Sequence, residues 1–196
     1  MVKATAVRIA RVELMLPARA LVWPVVLRPF VPADAPQVQR LAGDRAVADT
    51  TAIIPHPYRD GMAETWIASH DSERSAGTQY IYAIARADDE QLVGAIALRP
   101  VASEQENLGY WIGREFWGQG YATAAARAVV ALAFTCLDCQ QLTASHLSRN
   151  AASGRVLEKC GLDIVRRVRR EHRGKPEEFC VRGITRDSWE RQSDEG

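Results

Sequence analysis

The feature that most constrains this 196-residue chain is one continuous passage: a short apolar run from Leu108 to Ile112, a loop holding Gly118 and Gly120, and an alanine-rich stretch from Tyr121 to Phe134. Alanine is the strongest helix former, and the apolar positions of the last stretch recur at helical spacing. The passage therefore reads as strand, glycine loop, helix. The first turn of a helix carries N–H groups with no intrahelical partner, and the helix dipole adds partial positive charge there. Glycines at the entrance keep side chains out of the way, so such a loop can wrap a diphosphate with main-chain donors. Two nucleotide-binding patterns are excluded. No Gly-Lys-Ser/Thr ending is present, and Thr123 stands where a third glycine would complete Gly-x-Gly-x-x-Gly. Taken alone, a Gly-x-Gly is more often an ordinary strand-to-helix turn.

A second motif accompanies the first. Trp117-Gly118-Gln119-Gly120-Tyr121-Ala122 resembles the coenzyme A signature of the GNAT acetyltransferase superfamily. Downstream, Asn150-Ala151-Ala152-Ser153-Gly154-Arg155 and the following Val156 to Leu162 resemble the second signature of that superfamily, in its RimJ/RimL form. The likeness extends from Ile54-Pro55-His56-Pro57-Tyr58 to Ile184-Thr185-Arg186-Asp187-Ser188-Trp189, and so takes in roughly residues 25 to 190. It implies a single mixed α/β domain, with a mostly antiparallel central sheet, one parallel pair splayed at an acetyl-CoA cleft, and helices on both faces. Residues 1–24 are then an N-terminal extension or extra edge strand, and 191–196 a flexible tail.

The resemblance also implies roles. Tyr110, Trp111 and Ile112 carry a bulge and pair with the pantetheine arm, and a backbone N–H freed there polarises the thioester carbonyl. Trp117, Gly118, Gln119, Gly120, Tyr121, Ala122 and Thr123 hold the diphosphate. Asn150 touches pantetheine or substrate amide, and Arg155 either neutralises a nucleotide phosphate or is a solvated helix charge. Many relatives place a tyrosine acid on the helix after the fifth strand. This helix has none, and Ser153 is the candidate acid, or else only a helix cap. Relatives commonly carry a glutamate base two residues before the Gly-Tyr pair. Here Asn107, which cannot act as a base, occupies that place, with Glu106 beside it. Glu106, a water relay or His56 remain open as the base, and His56, Tyr58 and Asn107 are candidates for acceptor binding. The implied reaction moves acetyl from acetyl-CoA to a primary amine. A ribosomal-protein N-terminus is the first candidate acceptor, and a small polyamine, aminoglycoside or amino acid derivative the second. A coenzyme A-binding regulator without turnover is the reading from another class.

Composition agrees with a globular protein, at 47% apolar and 25% charged residues. A net charge of +1 excludes a general polyanion or acidic-lipid binder. No apolar run approaches the ~20 residues that cross a bilayer, and Arg8 and Arg11 interrupt the N-terminus, which suggests a cytoplasmic protein. A monomer or a homodimer is expected. Cys136 and Cys139 have C-x-x-C spacing without a second close pair, so reduced thiols and no metal are expected.

Further elements follow in order. Val25 to Phe30 reads as a strand ended by Pro29 and Pro32. A helix follows, capped by Asp34 and running to Gly43. Two prolines stiffen Ile53 to Tyr58 into a loop, which in the superfamily covers the acceptor pocket, and a helix restarts near Met62. Tyr80–Ala85 and Leu92–Leu98 flank the polar turn Asp88-Asp89-Glu90 as a hairpin. Gln141 to Ser145 is a strand parallel to Leu108–Ile112, and Asn150 caps the next helix. A last hairpin turns at Gly174-Lys175-Pro176, and Arg166 to Arg173 is the one dense basic run, a solvated face or a contact for nucleic acid or an acidic partner.

Overall fold

A computed structural model describes residues 16–99, 107–137 and 139–194. The elements in chain order are β1 (Ala20–Val22), β2 (Val25–Arg28), α1 (Ala35–Ala42), α2 (Arg45–Ala48), α3 (Met62–Ser75), β3 (Tyr80–Arg86), β4 (Leu92–Leu98), β5 (Leu108–Ile112), α4 (Tyr121–Cys136), β6 (Gln141–Leu147), α5 (Ala151–Glu158), β7 (Asp163–His172), β8 (Lys175–Thr185) and α6 (Arg186–Asp194). All eight strands form one sheet in the order β1-β2-β3-β4-β5-β6-β8-β7. Every neighbouring pair is antiparallel except β5 and β6, which are joined by a helical connection and therefore run parallel.

Helices cover both faces because both faces are apolar. On one side Ala125, Ala126, Val129, Val130, Ala133 and Phe134 of α4 are buried against Leu27, Tyr82, Ile84, Ile96 and Leu98 of the sheet. Alanines along that stripe let the helix lie close to the strands. Its C-terminal carbonyls are closed by Arg186, which donates to Phe134 O (2.7 Å) and Leu137 O (3.1 Å). On the opposite side Ala35, Val38 and Ala42 of α1 and Ala63 and Ile67 of α3 pack with Phe30, Ile81, Ala83 and Ala95.

Four local expectations change. Asp34 precedes α1 but does not cap it. Its carboxylate takes a two-pronged contact from Arg28 (2.8 and 2.9 Å) and one from Val31 N (2.9 Å), because a partly buried guanidinium competes better for it than helix amides do. The last hairpin turns one residue earlier than the expected Gly174-Lys175-Pro176. It turns at Arg173 (φ 52) and Gly174 (φ 73), two left-handed residues as a two-residue hairpin turn requires. Pro176 sits inside β8 opposite Glu171 of β7, the outermost strand. Residues 191–194 continue α6, where Trp189 stacks on Phe134 with ring centroids 5.3 Å apart and anchors the helix. The expected bulge in β5 is also absent. Leu108 to Ile112 pair with Leu98 to Gly94 in unbroken register. Gly94 permits this close approach, since a Cβ there would lie 2.2 Å from Trp111 O.

Candidate active site

At the entrance to α4 the chain is shaped by two left-handed glycines, Gly118 (φ 78) and Gly120 (φ 81). A Cβ on either would meet nothing within 4 Å, so the loop borders open space. The first helical bond is Ala124 N to Gly120 O (3.0 Å), which leaves the N–H groups of Tyr121, Ala122 and Thr123 without an intrahelical acceptor. Residues 117–120 are exposed and 121–123 partly exposed, and no acidic residue lies in the first turn. A phosphate group fits this loop: it finds donors, positive dipole and clearance together. Trp117, 45% exposed, turns its indole back so that Nε1 donates to Ile112 O (2.7 Å), and Gln119 Nε2 donates to Glu115 O (3.2 Å).

The loop opens onto a seam in the sheet. β5 and β6 pair only at Leu108 opposite Ala144. Gly113 N bonds Val93 O (2.8 Å), which fixes the alternation along β5: Gly109 and Trp111 face β4, while Tyr110 and Ile112 direct their main-chain groups toward the diverging β6. The open strand edge thus arises from the divergence of a parallel pair, without a bulge. Asn107 sets where the divergence begins. It is 7% exposed, its Oδ1 accepts from Thr143 N (2.6 Å), its Nδ2 donates to Gln141 O (3.4 Å), and its own N–H donates to Thr143 O (3.1 Å). With its carboxamide bonded to β6, Asn107 stitches the two strands together. Glu106, the candidate base, lies outside the described residues.

Across the seam stands the start of α5. Asn150 Oδ1 accepts from Ser153 N (3.1 Å), the expected cap. Ser153 Oγ lies 2.9 Å from the Tyr110 hydroxyl, which also reaches Ser153 O at 3.2 Å. Burial pushes the Tyr110 phenol well above its ordinary pKa, and the contact with Ser153 offsets this only in part. Sequence reasoning found Tyr110 as a strand residue and Ser153 as a helix residue but not their contact, since no local signal links positions 43 apart. Beneath α5, the His146 ring lies 3.0 Å from where a Cβ on Gly154 would stand, so a larger residue there would have to push the ring aside. Arg155 lies exposed on α5.

The segment between α2 and α3 closes the same end of the seam. Asn150 Nδ2 donates to Thr50 O (3.5 Å) and Arg149 to Asp49 O (2.9 Å). From the hairpin tip, Arg173 donates to Ala48 O and Ile54 O (both 2.7 Å) and pairs with Asp49 (3.4 Å). The basic run is therefore partly absorbed by the chain itself, as Arg167 pairs with Glu178 (2.9 Å) and Arg170 lies over Phe179. His56 is exposed on this segment, and Tyr58 is half-buried beside the α1 and α3 cluster, where burial, then Glu64, raises its pKa.

Residues 25–163 match the acetyltransferase (GNAT) domain family. Among curated proteins, the chain is 32% identical over 98 residues to a Bacillus subtilis protein named "Probable N-acetyltransferase YjcK", across 48% of this chain and 54% of that one. The chain thus spans about half the length of that relative. Among solved structures, Mycobacterium smegmatis RimJ in complex with CoA-disulfide superposes with a TM-score of 0.69 at 21% identity, over 88% of this chain and 89% of that one. The microcin C7 self-immunity acetyltransferase MccE, solved with acetyl-CoA and AMP, gives 0.74 at 13% identity over 87% and 98%.

Proposed function

Because the chain belongs to the acetyltransferase (GNAT) domain family, we propose that it transfers the acetyl group of acetyl-CoA to a primary amine in the cytoplasm, with a protein N-terminal amine of the ribosomal-protein type as acceptor. One observation carries this reading: the glycine loop with its unpaired amides and the open edge of β5 form one continuous main-chain surface that ends at Ser153. The main-chain groups of Gly118 to Thr123, beside Trp117, hold the diphosphate. Tyr110 and Ile112 receive the pantetheine arm through their main-chain groups, with Trp111 between them, its own main chain turned to β4. Asn150 and Arg155 flank it on α5. Bound acetyl-CoA supplies an activated thioester carbon.

The chain's residues then position the attack. Tyr110 N–H or Ile112 N–H faces the seam, where the carbonyl oxygen gathers charge, and Ser153 Oγ faces the departing sulfur. Glu106, water or His56 takes the amine proton. His56 and Tyr58 sit on the segment that would border the acceptor, and the two anchors from Arg149 and Arg173 hold that segment over the seam.

Thiol release from acetyl-CoA across a panel of peptide N-termini and small amines tests the reading. Turnover with peptides bearing a free N-terminus, abolished by blocking that amine, is the expected result. Turnover confined to polyamines or aminoglycosides would replace the acceptor. Thermal stabilisation by coenzyme A with no turnover on any amine would make the chain a sensor.

A further inference from the structure

We propose that Tyr110 is a positioning residue for Ser153: its phenol donates to Ser153 Oγ across the seam and leaves the serine hydroxyl hydrogen free for the sulfur of a bound thioester. The inference rests on the acetyltransferase reading above and assigns a role to a contact which that reading does not need. Three observations carry it. Tyr110 Oη is 2.9 Å from Ser153 Oγ, an ordinary O–H···O distance. The Ser153 amide is already taken by Asn150 Oδ1 (3.1 Å), which fixes the backbone that carries the hydroxyl. The contact crosses from β5 to the helix following β6, directly beside the only stretch of β5 whose main-chain groups face an opening.

Burial keeps the phenol protonated, so its hydrogen is always present to be donated. A serine whose oxygen lone pair accepts from tyrosine must turn its own hydrogen elsewhere. When the C–S bond breaks, its electron pair stays on sulfur, and Ser153 Oγ–H donates a hydrogen bond to that thiolate. The surplus proton of the amine leaves through the base. Tyr110 exchanges no proton in this step. In the opposite arrangement Tyr110 donates to Ser153 O (3.2 Å) and Ser153 donates to the phenol, which would withhold the serine hydrogen from sulfur.

Tyr110→Phe, Ser153→Ala and the double variant separate these cases. Three quantities are read: coenzyme A affinity, the ultraviolet titration of the thiol of bound coenzyme A, and kcat against KM. Each single variant is expected to lower kcat about tenfold with KM for acetyl-CoA within about twofold, and the double variant about tenfold rather than a hundredfold, because one hydrogen-bonded unit is lost once. The thiol of bound coenzyme A should titrate higher in both single variants than in the unaltered chain, and Ser153→Ala gives this readout even should Tyr110→Phe fold poorly. A Tyr110→Phe enzyme with unchanged or raised kcat, losses that multiply in the double variant, or a thiol titration that Ser153→Ala leaves unmoved overturns the inference. An unaltered chain that binds no coenzyme A, or binds it and turns over no amine, overturns the underlying reading instead.

Discussion

At the start of α4 the chain offers main-chain N–H groups framed by two glycines. The segment 49–58, on the other side of the same seam, is held by side chains reaching from elsewhere: Arg149, Asn150 and Arg173. The first region depends on backbone direction and on the absence of side chains, so most substitutions there that keep the glycines leave the donors in place. The second depends on particular guanidinium and carboxamide groups placed 100 to 125 residues away in sequence, so single changes alter its position. A conserved chemistry suits the first kind of wall, and a changeable specificity the second.

The largest test of that contrast is Gly120→Asp. It sets a carboxylate among the donors and forces a side chain to φ 81, so coenzyme A affinity should fall at least about 100-fold by calorimetry, while the melting temperature falls only about 3–6 °C. Unaltered affinity would show that the loop is not the anion site. Next in size is Arg173→Ala, which removes the donors to Ala48 O and Ile54 O. KM for the acceptor should rise about tenfold while coenzyme A affinity stays within about twofold, the pattern expected when one well-placed charged donor is lost. Equal losses for both substrates would erase the distinction between the walls. A smaller effect is expected from Trp117→Phe, which deletes the bond to Ile112 O. About a threefold loss of coenzyme A affinity fits a supporting role, whereas a loss above about thirtyfold would make this wall side-chain dependent too.

The smallest effect concerns pH. His70 on α3 packs edge-on against Trp66 (4.5 Å) and Phe30 (5.3 Å), and burial, opposed by Asp71, lowers its pKa to about 4. The folded state therefore keeps the ring neutral where the unfolded chain takes up a proton. Stability from this site is complete above about pH 6.5 and declines as pH falls toward 4. Melting temperatures across that window should fall less steeply in His70→Leu, and identical slopes would remove the assignment.

What the sequence revealed was local. The strand, glycine loop and helix around Gly118 and Gly120 are contiguous, as is the Asn150 cap, and each is governed by neighbours within a few residues. The parallel placement of β6 followed from an intervening helix. Misreadings arose where a distant group outbid a local one. Asp34 has the look of a cap, but Arg28 takes both of its oxygens. Pro176 has the look of a turn residue, but the left-handed pair Arg173-Gly174 makes the reversal, and Pro176 lies beyond Phe179, where the pairing of β8 with β6 ends. Tyr110 meeting Ser153 is a tertiary contact with no signature at either position.

The stitch at Asn107 has a mechanical consequence. With β5 and β6 joined only near Leu108, the eight strands behave as a group of five and a group of three sharing one short weld. An extended molecule lying in that gap would serve as a missing rung between the groups. Occupancy should therefore be felt as rigidity on both banks, in slower amide exchange at Ile112 and at Ser145 alike, and the completed sheet would exist only while the guest is in place.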